Sequence, residues 1–154
     1  EPTYDASVEF DGTNWTAGGS LNAAKYQLAG CGLQTAAIAF GGRDPALAQT
    51  EIYNGTSWTE VADLNTARTN LGGAGTTTSA LAFGGFTPGS LAVTEFWNGT
   101  SWTEVADLAT ARRQLAGAGT TSLALAFGGN ITPHTAATEE WTLPDTATVS
   151  FDVS

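Results

Sequence analysis

The feature that most constrains the fold of this chain is an internal repeat of 43 or 44 residues. The eleven residues NGTSWTEVADL occupy positions 54–64 and recur without change at 98–108. The other landmarks with this spacing are Trp15, Trp58 and Trp102 and the glycine pairs Gly41-Gly42, Gly84-Gly85 and Gly128-Gly129. Repeats of this length are typical of arrays in which each unit buries a hydrophobic face against the next. We therefore expect residues 1–154 to form a single repeat domain.

Each unit divides into four short β segments, which we term strands a, b, c and d. In the middle unit they are RTNLGGAGT from Arg68, SALAFGG from Ser79, VTEFWNG from Val93 and SWTEV from Ser101. Runs of β-branched or alternating residues between turn residues predict such strands. The Asn-Gly or Asp-Gly pair between c and d tolerates the positive φ of a tight hairpin. The predicted units are about 24–67, 68–111 and 112–154, after a partial c–d unit at 6–23.

The composition of the strands predicts how the units are arranged. Strand a is crowded with Gly and Ala, which weaken a strand unless close packing requires them. We expect strand a to lie innermost, where the blades of a β-propeller converge on an axis. Strand b is apolar and should be buried between blades, with Phe40, Phe83 and Phe127 in the core. Trp58 and Trp102 should then close the outer part of each blade against its neighbour.

The order of landmarks resembles the Kelch repeat over roughly residues 6–142. A double glycine follows an apolar strand, then come an aromatic (Tyr53, Trp97 or Trp141), a tryptophan and a basic residue that opens the next unit. Kelch units are propeller blades, usually six or seven in a ring, as in galactose oxidase. The resemblance implies an all-β fold of four-stranded antiparallel blades, about three to three and a half per chain. We expect a second copy to close a six- or seven-blade ring; the alternative is that the chain is a piece of a longer array.

Charge excludes two classes of partner. Asp and Glu number 15 against 5 Lys and Arg, so the net charge is -10, which repels nucleic acid and anionic membranes. No apolar run approaches the roughly 20 residues that span a bilayer, so we expect no membrane insertion. Only 13% of residues are charged, and Gly, Thr, Ala and Ser dominate. This composition is common in β-rich extracellular or virion proteins, and we expect that location.

Residues for catalysis or metal binding are scarce. His134 is the only histidine, which excludes a two-histidine metal site and any counterpart of the galactose oxidase copper site. Cys31 is the only cysteine, which excludes an intrachain disulfide. Glu139 and Glu140 are adjacent and would point to opposite faces of a strand, which does not suit a glycosidase pair. We predict no catalytic residue, no metal and no cofactor.

Charged residues recur at fixed repeat positions and are expected to have a structural role. Strand c carries an acidic residue and the start of strand a a basic one, and such pairs tie blades together through charge-assisted hydrogen bonds. The residues concerned are Glu51, Glu95 and Glu139 in strand c and Lys25, Arg68 and Arg112 at the start of strand a.

Function is expected where the repeats differ, in the b–c loops RDPALAQ, FTPGSLAV and NITPHTAA. Variable loops on a rigid scaffold are typical of recognition surfaces, although tolerant connections vary too. In four-stranded blades these loops cluster on one face. The predicted ligand-binding residues are Arg43, Asp44, Phe86, Thr87, Asn130 and His134.

We hypothesise a non-enzymatic binding or structural module on a virion or extracellular surface, recognising a glycan or a protein. The repeats are similar to Kelch-like repeats of bacteriophage virion proteins and secreted bacterial proteins, which implies the same setting. A carbohydrate-active enzyme or its accessory propeller is the alternative. An intracellular Kelch adaptor ranks last, because the chain carries no recognisable partner domain.

Overall fold

The computed structural model describes residues 5–43, 45–131 and 136–142, and this part of the chain is all-β. The strands are β1 (Val8–Phe10), β2 (Trp15–Ala17), β3 (Ala29–Leu33), β4 (Ala36–Phe40), β5 (Thr50–Tyr53), β6 (Trp58–Val61), β7 (Gly72–Thr76), β8 (Ser79–Phe83), β9 (Thr94–Trp97), β10 (Trp102–Val105), β11 (Ala116–Gly119), β12 (Leu123–Phe127) and β13 (Thr138–Thr142). Within these residues no helix is long and apolar enough to cross a membrane.

The strands form propeller-like blades in which each strand pairs with the next along the chain. The first blade is the sheet β3–β6 and the second is β7–β10, both four-stranded and antiparallel. The third blade has the order β11-β12-β13 among the described residues, and β1 and β2 form a separate N-terminal hairpin. The predicted all-β architecture of antiparallel four-stranded blades is confirmed. Strand β7 begins at Gly72 instead of Arg68, because Asn70 has a positive φ of 55° that interrupts the extended backbone.

Strand a of each blade lies against strand a of the next, and this contact explains its small residues. Strand β7 contacts both β3 and β11. A Cβ added to Gly73 would lie 2.6 Å from the ring of Phe40, in the preceding blade. A Cβ on Gly117 would overlap the ring of Phe83 in the same way. Glycine in strand a therefore admits the phenylalanine of the neighbouring strand b.

Trp102 joins the outer parts of the first two blades. Its ring lies 5.1 Å from that of Phe40 in edge-to-face geometry and 5.4 Å from that of Trp97. Its indole Nε1 donates a hydrogen bond of 3.0 Å to Thr50 Oγ1, and Thr50 is fully buried. The second blade is thus fastened to the first by apolar contact and by a buried hydrogen bond.

Two predicted core positions differ from expectation at the ends of the array. Phe127 is 39% exposed, although its counterparts Phe40 and Phe83 are buried, because no following inner strand covers it among the described residues. Trp58 is only half-buried, since the hairpin before it has strands c and d but no strand b. Trp15, in that hairpin, is 68% exposed. Burial of a repeat position therefore depends on a complete neighbouring blade.

The repeated eleven residues form the turn between strands c and d, strand d itself and the start of the connection to the next blade. In the second blade, Asn98 Oδ1 accepts hydrogen bonds of 2.9 Å from the N–H groups of Thr100 and Ser101, while Gly99 has a φ of 94°. The first blade has the same bonds around Asn54. The loop has four residues, longer than a two-residue hairpin turn, and the Asn side chain replaces a backbone acceptor. Identical sequence here reflects identical local geometry.

Candidate binding cleft

The b–c loops border a cleft of about 420 Å³ on one face of the blades. Four of the predicted ligand-binding residues line it, namely Arg43, Phe86, Thr87 and Asn130. The other two, Asp44 and His134, lie outside the described residues. Residues from three different repeats, far apart in sequence, therefore meet at one concave surface.

Each loop begins from an equivalent, fixed backbone position. The N–H of Arg43 donates to the carbonyl of Tyr26 at 2.8 Å, and that of Phe86 to Thr69 at 2.8 Å. The N–H of Asn130 donates to the carbonyl of Arg113 at 2.7 Å. Three equivalent sites on a regular scaffold thus carry an arginine, a phenylalanine and an asparagine.

The floor of the cleft is made by three residues that the sequence analysis missed. Gln27, Asn70 and Gln114 have positive φ angles of 57°, 55° and 56°. The N–H of Asn70 donates to the carbonyl of Gln27 at 2.9 Å, and the N–H of Gln114 to that of Asn70 at 2.7 Å. This ladder connects the three blades and holds a conformation that costs a residue with a Cβ about 1–2 kcal/mol. The available signal was the polar residue that recurs at the third position of each predicted strand a, as in YQL, TNL and RQL.

The side-chain amides on this floor are ordered by one another. Gln27 Oε1 accepts hydrogen bonds from Thr69 Oγ1 at 2.8 Å and from Asn70 Nδ2 at 3.2 Å. Gln114 Oε1 accepts one from Asn130 Nδ2 at 3.3 Å. Among the described residues, the Nε2 groups of both glutamines and Asn70 Oδ1 have no partner. The cleft therefore presents fixed amide donors and acceptors to a ligand.

Arg113 is a fourth cleft residue that the sequence analysis did not select. Its guanidinium lies over the ring of Phe86, 4.5 Å from the ring centre, and it lines the cleft. The contact joins the loop of one repeat to the start of the next and fixes the orientation of both side chains. Its counterparts in the other repeats are Tyr26 and Thr69, so the basic residue is particular to the last unit.

The repeated charged residues pair inside the blades, away from the cleft. Lys25 Nζ lies 2.7 Å from Glu51 and Arg68 Nη2 lies 3.1 Å from Glu95; Arg112 pairs with Glu139. Burial alone would raise the pKa of Glu51, but the close Lys25 ammonium and the hydrogen bonds from Asn22 outweigh it and lower the pKa. Arg112 and Glu139 form the corresponding ion pair in the third blade.

Arg68 and the double glycines lie at the joints between blades. The Arg68 side chain donates to the carbonyls of Ala82, Gly84 and Val93 in the second blade. Its backbone carbonyl accepts from the N–H of Gly42 in the first blade at 3.0 Å. Gly42 has a φ of 116°, which a residue with a Cβ rarely adopts. All six residues of the double-glycine motif have positive φ: Gly41, Gly42, Gly84, Gly85, Gly128 and Gly129.

Comparison with models of known protein families and with curated proteins gave no match. Within the described residues, no group of three or more His, Cys, Asp or Glu side chains is placed to hold a metal ion.

Proposed function

We propose that this chain is a non-enzymatic binding module of Kelch-like propeller blades, and that it holds a glycan or protein ligand in the loop-face cleft. The observation that carries the proposal is the meeting of Arg43, Phe86 and Asn130 in one cleft. These three occupy equivalent backbone positions but differ in chemistry, while the blades beneath them repeat. A regular scaffold with diversified loops is suited to recognition.

The Kelch assignment is supported by the roles of its landmark residues. The double glycines lie at the joints between blades, and the aromatic of strand c ties that strand to the a–b turn. Trp97 Nε1 donates to the carbonyl of Thr77 at 2.9 Å, and Trp141 Nε1 to that of Thr121 at 3.1 Å. Placement on a virion or extracellular surface is proposed from the acidic, Thr/Gly-rich composition.

A carbohydrate-active enzyme is the second candidate function. It would need an acid and a base, or a nucleophile, flanking the substrate. Among the described residues no carboxylate lines the cleft, whereas amides, two hydroxyls and an aromatic ring do. These groups favour binding over hydrolysis.

The test is a glycan and protein array probed with the purified chain, two cleft variants and one control variant. Thr87→Ala removes a hydroxyl from the cleft, and Thr100→Ala removes an exposed hydroxyl from a c–d turn, at the opposite end of the blade. We expect Phe86→Ala and Thr87→Ala to weaken the strongest array signal and Thr100→Ala to leave it unchanged. Equal signals from all four proteins would place recognition elsewhere and refute the proposal.

We also propose that a second copy covers the open ends of the array and completes a ring of six or seven blades. In the third blade Leu125 and Phe127 are each 39% exposed, while their counterparts in the second blade, Leu81 and Phe83, are buried. At the other end, Leu33 in the first blade is 71% exposed. We expect the contact between copies to resemble the junction between the first two blades, where the second blade buries the equivalent face of strand b in the first.

The hydrogen-bond ladder on the cleft floor supports the same arrangement. Among the described residues it ends at the N–H of Gln27 and the carbonyl of Gln114, neither of which has a partner. A second copy placed head to tail would join Gln114 of one chain to Gln27 of the other. Light scattering should give twice the chain mass for the wild type and for Thr100→Glu, and the monomer mass for Phe127→Glu. A wild-type monomer at all concentrations would contradict this.

A further inference from the structure

The positions of the five basic side chains indicate which class of ligand the cleft binds. The chain has five basic residues, and three of them, Lys25, Arg68 and Arg112, are buried in ion pairs with glutamates. The remaining two, Arg43 and Arg113, both line the cleft, and neither forms an ion pair with a described residue. In a chain of net charge -10, the cations that are free of such pairs are therefore concentrated at one concave surface.

The described residues that line the cleft with these two arginines are uncharged. The other lining residues are amides, threonines, a proline, an alanine and Phe86, with no carboxylate among the described residues. Arg113 is held over the Phe86 ring, so its guanidinium needs little ordering on binding. A guanidinium donates two parallel hydrogen bonds to a carboxylate.

We propose that the cleft binds an acidic saccharide, and that the carboxylate on its sugar ring forms ion pairs with Arg113 and Arg43. The inference rests on the proposed binding function and gives it a ligand class. The ordered amides of Gln27, Asn70 and Gln114 supply hydrogen-bond donors and acceptors for sugar hydroxyls. An acidic peptide carries far fewer hydroxyl groups than a saccharide, so these amides favour the saccharide. The carboxylate could come from a uronate within a polysaccharide or from a terminal sialate.

The experiment is isothermal titration of the wild-type chain with two acidic saccharides and their neutral counterparts. The pairs are trigalacturonate with its carboxyl-reduced form, and 3′-sialyllactose with lactose. We expect at least one acidic member to bind roughly tenfold or more tightly than its counterpart, because a charge-assisted pair is lost in the neutral form. Binding of one pair alone identifies the source of the carboxylate.

Matched variants test whether Arg113 binds the carboxylate of the ligand. Arg113→Gln and Thr100→Glu each lower the net charge by one, but Thr100 is exposed in a c–d turn away from the cleft. Arg113→Gln should weaken binding of the acidic saccharide roughly tenfold and reduce its preference over the neutral form, with Arg43 still present. Thr100→Glu should leave both affinities unchanged. Arg113→Lys should restore only part of the loss, since lysine lacks the planar fork.

Several outcomes would overturn the inference. If acidic and neutral saccharides bind with equal affinity and Thr87→Ala weakens both, the proposed role of the carboxylate is refuted, while the binding function of the cleft stands. An unchanged affinity in Arg113→Gln would refute the role of that residue. Binding of hexaglutamate peptide without either saccharide would replace the sugar by an acidic peptide. No binding of either acidic saccharide up to about 10 mM would refute the ligand class.

Discussion

Replacing Trp102 with alanine tests how the blades are held together. The indole is 6% exposed and contacts the rings of Phe40 and Trp97. Removing a buried tryptophan costs about 3–5 kcal/mol of unfolding free energy through lost burial and the cavity left behind. The buried Thr50 hydroxyl also loses its donor, which adds to the cost. We expect a loss near the upper end, about 4–5 kcal/mol.

Two further variants separate the contributions. Trp102→Phe keeps an aromatic ring but not the hydrogen bond to Thr50, and should cost about 1–3 kcal/mol. Trp58→Ala is the matched control, because Trp58 occupies the same repeat position but is half-buried, and its Nε1 has no partner among the described residues. It should cost about 1–2 kcal/mol, the value for a partly buried side chain.

The assay is guanidinium unfolding followed by far-ultraviolet circular dichroism, at the lowest protein concentration that gives a signal. Low concentration matters because the proposed second copy would lie against the first blade, which contains Trp58. Equal destabilisation by Trp102→Ala and Trp58→Ala would refute the argument that a complete preceding blade sets the contribution of this tryptophan. Full stability of Trp102→Phe would refute the role of the Thr50 hydrogen bond.

Three other predictions concern single residues. Gln114→Gly should be more stable than Gln114→Ala by about 1–2 kcal/mol, because only glycine adopts a φ of 56° without strain; equal chemical-denaturation midpoints would contradict this. Glu51→Gln should be less stable than wild type above about pH 5. Because the pKa of Glu51 is lower in the folded chain than its ordinary 4.5, that difference should shrink as the pH falls through the folded pKa, and a constant difference would argue against the depressed pKa. Burial raises the pKa of Cys31 to about 12, so Ellman's reagent should label the native chain at pH 8 far more slowly than the denatured chain, and equal rates would contradict that burial.

Much of the fold could be predicted because its determinants are local and repeated. Turn residues, alternating strands and small residues in strand a recur in each unit, so one unit predicts the next. The expectation that strand b is buried holds for Phe40 and Phe83 but is wrong for Phe127. Its burial depends on the neighbouring blade, and a repeat pattern does not say whether that blade is present.

The site was predictable in part for the same reason. Variation among the b–c loops pointed to Arg43, Phe86, Thr87 and Asn130, all of which line the cleft. The floor residue Asn70 was missed because its left-handed conformation is imposed by hydrogen bonds to other blades. The stacking of Arg113 on Phe86 was missed because it joins residues from two units.

The measurement that most directly tests the binding cleft is an amide NMR titration with the tightest saccharide from the array. We expect the side-chain amide signals of Gln27, Asn70, Gln114 and Asn130 to shift, while those of Asn98 in a c–d turn stay in place. Shifts confined to Asn98 and the c–d turns, with the four cleft amides unchanged, would contradict a binding site on the loop face.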